Sequence, residues 1–191
     1  MYLYNYCYGD CTMSTLITTT AQIGTIKDAG GNATAMTVDN AGRVTQPTKP
    51  SFHARETAAG SGSGTQGIIV FNVEEFDIGS NYNTSNGRFT APVSGIYQFC
   101  FDALVSTDTS GTALGSGEAV YVCFYKNGAE GVWSQRSYHR TDGATQFNTI
   151  HRMDCIQLNA NDYVQVYVGN QYIYRDATNQ YDATFQGFLL G

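Results

Sequence analysis

Short runs of alternating apolar and polar residues, separated by clusters of turn-forming residues, occupy the chain from Ser51 onward. The clearest run is Tyr163 to Val168, where Val alternates with Tyr or Gln. This period of two is typical of a strand with one covered face. No segment shows a helical period of useful length. Many short strands at close spacing indicate a β-sandwich or a β-barrel, so the sequence predicts an all-β chain.

The composition favours one β domain with an appendage. The 191 residues are 42% hydrophobic but only 14% charged, with 21 Gly and 14 Tyr. The abundance of Thr, Gly, Asn, Tyr and Val suits strands and turns rather than a helical bundle. A chain with this much Phe and Tyr can bury a core, which argues against disorder. The length is that of one ordinary domain with some chain to spare.

Charge and hydropathy exclude several classes of partner. The net charge is −6, and the ten Lys and Arg residues are scattered, so no basic surface for nucleic acid is expected. The longest apolar run, Ala119 to Tyr125, is far shorter than the roughly 18 to 20 residues that cross a bilayer, so membrane insertion is not expected. The start of the chain has no basic segment followed by an apolar one, so no signal peptide is expected. The five Cys residues are therefore expected to be reduced.

Turn chemistry organises the rest of the chain. Lys126-Asn127-Gly128 follows an apolar run and predicts a tight hairpin turn with positive φ angles. Val38 and Val44 flank a second hairpin turn, but the segment before Pro50 has too few apolar residues to fold alone. We therefore divide the chain into an N-terminal extension and arm, residues 1–50, and a head, residues 51–191. Within the head, Gly60 to Gly64 is predicted to be a mobile loop.

Catalytic motifs are not found in the sequence. The three His residues show neither His-x-His nor His-Glu-x-x-His spacing, and Gly-x-Ser-x-Gly does not occur. We expect no enzyme activity, no metal and no cofactor. Paired carboxylates could still cleave a glycoside, so a polysaccharide depolymerase stays an alternative. The candidate acids are Glu74, Glu75, Asp77, Glu118 and Asp142.

Several blocks of the head occur in an order and spacing known from one protein family. The largest is Phe89 to Phe99, preceded by Asn81-Tyr82-Asn83 and Gly87. The others are Phe52, Val70-Phe71-Asn72, Lys126-Asn127-Gly128, Leu158 with Asp162-Tyr163-Val164, and Phe185 to Leu190. From Pro50 to Gly191 the chain resembles the globular head domain of complement C1q, a member of the tumour-necrosis-factor-like superfamily. The resemblance implies a ten-stranded antiparallel jelly roll that assembles as a homotrimer.

The same resemblance implies positions for the subunit contacts. It places four aromatic residues in or beside the packing around the three-fold axis, with the core of the single domain as the alternative for each. They are Tyr97, Phe99, Phe185 and Phe188. Gly187 is expected to allow a close approach in the last strand. Some relatives bind calcium at the trimer apex, where Asp102, Asp108 and Glu118 are the acids that could cooperate.

The segment Val38 to Val44, with Pro47 and Pro50, is similar to the N-terminal module of small structural proteins of marine bacteriophages. This second resemblance implies a virion-surface protein that is made in the host cytoplasm without export. The arm would dock the head to other virion proteins through Val38, Asn40, Arg43 and Val44.

Together these features predict a non-enzymatic homotrimeric virion protein, a fibre or decoration head that binds a host-surface glycan or protein. Loops rich in Tyr, Asn and Ser suit such contacts. The candidate ligand-contact residues are Tyr82, Tyr138, Tyr172, Tyr174 and Tyr181. Three alternatives stay open: a purely structural capsid or tail cement protein, the depolymerase, and a secreted lectin-like recognition protein.

Overall fold

Every regular element that the structure describes is a β-strand. The structure is a computed structural model, and it describes residues 24–57, 61–106, 113, 115–130, 137–140, 148–176 and 183–191. Side chains are described for the same residues except 61–66, 137–140, 171, 175 and 176. The strands are β1 (Thr25–Lys27), β2 (Thr34–Val38), β3 (Val44–Thr45), β4 (Ser51–Glu56), β5 (Ser61–Ile68), β6 (Val73–Ile78), β7 (Tyr82–Asn83), β8 (Arg88–Thr90), β9 (Gly95–Ser106), β10 (Ala119–Lys126), β11 (Ala129–Glu130), β12 (Ser137–Arg140), β13 (Asn148–Leu158), β14 (Tyr163–Asp176) and β15 (Ala183–Leu189). The predicted all-β class is confirmed, and the described ranges contain no helix that could cross a membrane.

The chain divides into two compact units, residues 1–46 and 47–191. In the first unit, β2 lies between β1 and β3 in a three-stranded antiparallel sheet, here called the arm sheet. Val38 pairs with Val44 across the β2–β3 turn. The Asp39 carboxylate accepts hydrogen bonds from the backbone N–H groups of Ala41 and Arg43, at 2.8 and 2.9 Å. The predicted hairpin is confirmed.

The head is built from two layers of antiparallel strands. The first layer has the strand order β6-β4-β15-β9-β13. The second layer is centred on β10 and β14, which pair with β11 and β12 on one side and with β5 and β8 on the other. Near its end, β14 also pairs with β9, at Tyr172 to Tyr174, and this pairing joins the layers along one edge. The antiparallel jelly roll is confirmed, with twelve described strands in the head where ten were predicted.

Aromatic rings fill the space between the two layers. Tyr97, Phe99 and Phe101 alternate along β9 with more exposed residues and point inward, where each is completely buried. The Phe185 ring lies 4.9 Å from the Phe52 ring and 5.8 Å from the Phe99 ring, measured between centroids. Such ring pairs add to the stability that their buried area supplies. The head core is therefore a continuous aromatic cluster.

Asp162 joins two turns at one end of the head. Asn127 and Gly128, between β10 and β11, have φ angles of 53° and 82°, which confirms the predicted tight turn. The Asp162 carboxylate accepts hydrogen bonds from Asn127 Nδ2 and the Asn159 N–H, each at 2.8 Å, and pairs with Lys126 Nζ at 2.8 Å. The hydrogen bond from Lys126, followed by those from Asn127 and Asn159, lowers the pKa of Asp162 from 3.8 to about 2.

Replacing Asp162 with asparagine is expected to lower the free energy of unfolding at pH 7, by an amount that shrinks in acid. The pKa of this carboxyl is lower in the folded chain than in the unfolded chain. Its stabilising contribution is therefore complete above the unfolded value and is lost as the pH falls through the folded value. The urea midpoints of wild type and Asp162→Asn should differ at pH 7 and converge as the pH falls from about 4 to about 2. A difference that stays constant over that window would contradict the role of the charge.

Candidate functional site

The outward side of the first layer carries a concentration of exposed apolar side chains. Nine large apolar residues are exposed in the part of the chain whose side chains are described. Six of them lie on this side, as the pairing and alternation of the strands show. They are Phe76, Ile78, Ile96, Met153, Phe188 and Leu190. We call the outward side of β6, β4, β15, β9 and β13 the assembly face. Because exposed apolar groups in such number mark interaction sites, this face is the candidate functional site.

Two rows of residues, set by the strand register, form the centre of the assembly face. Each row crosses all five strands and contains neither Asp, Glu, Lys nor Arg. The first row is Ile78, Ser51, Phe188, Gln98 and Cys155. The second row is Phe76, His53, Gln186, Cys100 and Met153. Depletion of charge at the centre of a patch is the composition expected of a protein interface.

Charged groups are found at both ends of the assembly face. At one end Arg55 pairs with Glu75, and His151 contacts the Asp102 carboxylate. At the other end Lys49 Nζ donates a hydrogen bond to the Leu190 carbonyl at 3.1 Å. Burial, followed by the nearby Asp102 charge, raises the pKa of the Cys100 thiol, so this thiol is neutral at pH 7. The face therefore has an uncharged centre between two ends that carry charges, an arrangement that buries the centre at little electrostatic cost.

The structure separates the four residues predicted at the three-fold packing. Phe188 is 40% exposed and lies near the middle of the assembly face. Tyr97, Phe99 and Phe185 have no exposed surface in the single chain. The prediction is corrected for these three side chains, since they point between the layers and pack against rings of the same chain. They belong to the alternative that the sequence left open, the core of one domain.

Five residues of the assembly face were not among the predicted contacts. They are Phe76, Ile78, Ile96, Met153 and Leu190. A signal was present for Ile96, because alternation along β9 already puts it on the face opposite Tyr97. Phe76 and Ile78 lie in the acidic segment that begins at Glu74, and nothing local distinguishes them from isolated surface residues. Only the pairing of β6 with β4 brings them to this face.

Tyr82 is not an exposed ligand contact, and that prediction is corrected. It lies in the short strand β7 and is only 6% exposed. Its hydroxyl accepts a hydrogen bond from the Phe71 N–H at 3.2 Å and donates one to the Phe71 carbonyl at 3.1 Å. Burial raises the pKa of this phenol well above its usual value. The side chain therefore holds the Phe71 backbone in place.

The variant Tyr82→Phe is expected to lower the free energy of unfolding by about 1 to 3 kcal/mol, because it leaves buried backbone polar groups without their partner. Tyr97→Phe is the matched control. The Tyr97 hydroxyl makes a single hydrogen bond, to the Val93 carbonyl at 2.8 Å, and its loss should cost less. Urea unfolding of both variants at one protein concentration measures the difference. Equal losses would contradict the bridging role of Tyr82.

The other predicted contact tyrosines have different positions. Tyr172 and Tyr174 are half-buried residues of β14 rather than loop residues. The strand continues past Val168, where the sequence predicts its end. A bulge between Val168 and Ile173, in which Asn170 has a φ of 72°, interrupts the pairing with β5 without ending the strand. Tyr138 lies in β12, where side chains are outside the described set, and Tyr181 lies outside the described residues.

Two of the four predicted docking residues, Val38 and Val44, lie in strands of the arm sheet, and Asn40 and Arg43 lie in the turn between β2 and β3. Val38 and Val44 face each other as a cross-strand pair, and Asn40 is an exposed turn residue. The Arg43 guanidinium pairs with Asp39 at 2.6 Å. Docking to another protein through these residues stays a prediction.

A polar groove lies at the end of the head near Tyr82. Its volume is about 490 Å³, and its lining includes Asn81, Asn83, Thr84, Thr90 and Asn161. These side chains supply neutral hydrogen-bond donors and acceptors, and Glu74 adds a carboxylate. The groove is therefore a second candidate contact surface, of a chemistry unlike that of the assembly face.

The acidic, His and Cys side chains of the described residues do not cluster into a metal site. No group of three or more His, Cys, Asp or Glu residues that could hold a metal ion is found among them. Glu75 pairs with Arg55, and Glu118 accepts a hydrogen bond from the Gly115 N–H. Asp108 and Asp142 lie outside the described residues.

Comparisons with known proteins agree with the fold and the spacing of motifs. The family model for the C1q domain matches residues 51–190. Complement C1q tumor necrosis factor-related protein 3 of Mus musculus is 35% identical over 122 residues, which are 64% of this chain and 44% of that protein. The Homo sapiens protein of the same name is 34% identical with the same coverage. The chain thus spans less than half the length of these relatives.

Two solved structures share the fold at low identity. The globular domain of zebrafish complement 1qA has a TM-score of 0.53 at 19% identity and covers 75% of this chain and 98% of that structure. Eiger TNF from S. frugiperda has a TM-score of 0.54 at 9% identity and covers 75% of this chain and 94% of that structure. The family model that matches residues 51–190 spans most of the chain and all of the jelly roll except its last residue, and this chain therefore belongs to the C1q domain family.

Proposed function

We propose that the head is a non-enzymatic recognition module that works as a homotrimer assembled through the assembly face. C1q and tumour-necrosis-factor-like domains form homotrimers, which supports self-association of this chain. Proteins of the C1q family are generally recognition proteins without catalytic activity. The observation that carries the proposal is the assembly face itself, with six exposed apolar residues around two uncharged rows.

The chemistry of the face suits a second copy of the chain. A two-layer sandwich buries its inner faces and leaves the outer faces to solvent, so polar residues are expected at outward positions. Here the outward positions hold Phe76, Phe188 and Met153, of which Met153 is 65% exposed. An uncharged apolar face can close a ring of three when one part of it on each copy contacts a different part of the next copy.

Labelling of Cys155 tests where the subunits meet. This thiol is exposed in the single chain and lies in the first central row. In the trimer its alkylation should be about tenfold slower than in a monomeric variant, because access requires the interface to open. Peptide mapping separates Cys155 from the other thiols. Equal rates in the wild type and in the monomeric variant Phe188→Asp would place the interface elsewhere.

The ligand proposal uses the polar groove near Tyr82. Its amide and hydroxyl groups match the neutral hydrogen-bonding groups of a host-surface glycan, and three grooves in one trimer would add through avidity. The variants Asn83→Ala and Asn161→Ala should each lose glycan-array signals given by the wild type while keeping its mass in solution. Signals that survive both substitutions would remove the groove from the proposal.

The virion role is the most specific part of the proposal. Its support is the resemblance between the arm segment Val38 to Val44 and structural modules of bacteriophages. The relatives reported above come from mouse, human, zebrafish and S. frugiperda. Deleting the head while keeping the arm tests the role in a phage that carries this chain. Lost adsorption of intact particles supports recognition, fragile particles indicate a cement protein, and unchanged particles with normal adsorption would contradict both.

A further inference from the structure

The arm sheet has one aliphatic face and one threonine face. Ile26 pairs with Met36 across β1 and β2, and Val38 pairs with Val44 across β2 and β3. Because positions two apart share a face, these four residues lie on the same side, here called the arm face. On the opposite side, Thr25, Thr37 and Thr45 pair in one row.

The arm face is partly exposed. Val44 is 57% exposed and Ile26 is 40% exposed, whereas Met36 and Val38 are half-buried. These are two of the nine exposed large apolar residues in the described chain, and six of the others belong to the assembly face. A sheet that is apolar on one face buries that face against another element, and the three described strands of the arm form a single layer.

We propose that the arm faces of the subunits in one trimer pack against each other and form a second subunit contact. This inference rests on the proposed function, since the head trimer brings the arms together. Only five residues separate Thr45, the end of β3, from Ser51, the start of β4. Such a connection spans at most roughly 20 Å.

The start of β4 belongs to the proposed interface between heads. Ser51 pairs with Phe188 on one side and with Ile78 on the other, in the first central row of the assembly face. In a trimer built on this face, the three arms therefore leave from the interface. Short tethers give tethered groups effective concentrations in the millimolar range, which favours weak apolar contacts between them.

The charges of the arm permit this packing. Residues 24–46 contain Lys27 and Arg43 against Asp28 and Asp39, so this stretch has no net charge although the whole chain has −6. Arg43 and Asp39 neutralise each other within the turn. The four residues of the arm face are Ile, Met and Val, and three copies can meet through them without burying a charge.

Photo-crosslinking on the full chain tests the contact. A benzophenone amino acid is placed at Val44, on the arm face, and in a separate protein at the neighbouring Thr45, on the threonine face. Irradiation of purified protein should give covalent dimers for the Val44 probe, with the crosslink mapped to residues 24–46 of another copy. The Thr45 probe should give at least about tenfold fewer such dimers, because its side chain points away from the contact.

The mass in solution of both probe proteins separates the two proposals. A trimer in which the Val44 probe reacts with residues 1–23 of its own chain, with a head, or with nothing overturns the arm contact alone. A monomer overturns the head trimer on which the arm contact rests. Two double variants give a second test. Val38→Asp/Val44→Asp places charges on the arm face, and Thr37→Asp/Thr45→Asp places them on the threonine face. Hydrogen exchange should show that only the valine double variant loses slowly exchanging amides in residues 24–46 while it keeps the mass of a trimer, and equal exchange rates in the two variants would also overturn the arm contact.

Discussion

Phe188→Asp is expected to convert the proposed trimer to monomers at micromolar concentration. Phe188 is 40% exposed in the single chain and lies between Ser51 and Gln98, near the middle of the assembly face. The substitution places a carboxylate in the contact of each of three subunits. Burying an unpaired charge costs several kcal/mol, and about 1.4 kcal/mol already changes an equilibrium constant tenfold. Light scattering after gel filtration measures the loss.

Val93→Asp is the matched control for that variant. Val93 is 47% exposed, so the two positions have similar surface, but it lies in the bend before β9 and outside the assembly face. This variant should stay trimeric. Because Phe188 lies outside the aromatic core, the Phe188→Asp monomer should keep the strand signal in circular dichroism. A trimer that survives Phe188→Asp, or one that Val93→Asp also dissociates, would contradict the proposed location of the interface.

Gly187→Ala is expected to lower the free energy of unfolding by about 3 kcal/mol, at the upper end of the usual cost of overpacking a core. A methyl group at Gly187 would lie 2.5 Å from Phe99 Cδ1 and 2.9 Å from Phe52 Cε1. Both rings are completely buried and pack on Phe185, so neither can move without disturbing the others. Such a loss is a large part of the roughly 5 to 15 kcal/mol that stabilises a typical domain.

Gly169→Ala distinguishes a rigid neighbour from a movable one. A methyl group at Gly169 would meet the far end of the Tyr121 ring. Tyr121 is only half-buried, and its ring can turn away. Urea unfolding at fixed protein concentration should therefore show a smaller loss for Gly169→Ala than for Gly187→Ala. The reverse order would mean that the Phe52–Phe99–Phe185 cluster is looser than its ring distances indicate.

The alternation of residues predicts where strands occur, but it does not specify which face of a strand points into the core. In β9 the sequence separates Tyr97 and Phe99 from Ile96 and Gln98, and the structure confirms this separation. Which set faces the second layer depends on pairings between distant strands, which no local pattern specifies. Phe185 and Phe188 are three positions apart in one strand, so their side chains point to opposite faces and cannot both lie at one interface. Only Phe188 points outward.

Glycine-rich and tyrosine-rich segments were the harder part to predict. The sequence predicts a loop at Gly60 to Gly64, yet Ser61 to Gly64 belong to β5, which pairs with the end of β14. A strand partner can order residues of low strand propensity. Tyr172 and Tyr174 are likewise strand residues where the sequence predicts a loop, because β14 continues through the bulge at Asn170. Turn residues mark irregular backbone, but a strand can continue through it.

The trimer is tested most directly by sedimentation equilibrium of the full chain at micromolar concentration. The chain has a mass of 20.8 kDa, and a species of three times that mass is predicted. Subunit association through an apolar face should survive high salt, because screening weakens contacts between charges and not apolar ones. A mass of 20.8 kDa at micromolar concentration, with the head folded, would contradict assembly through the outward face of the first layer.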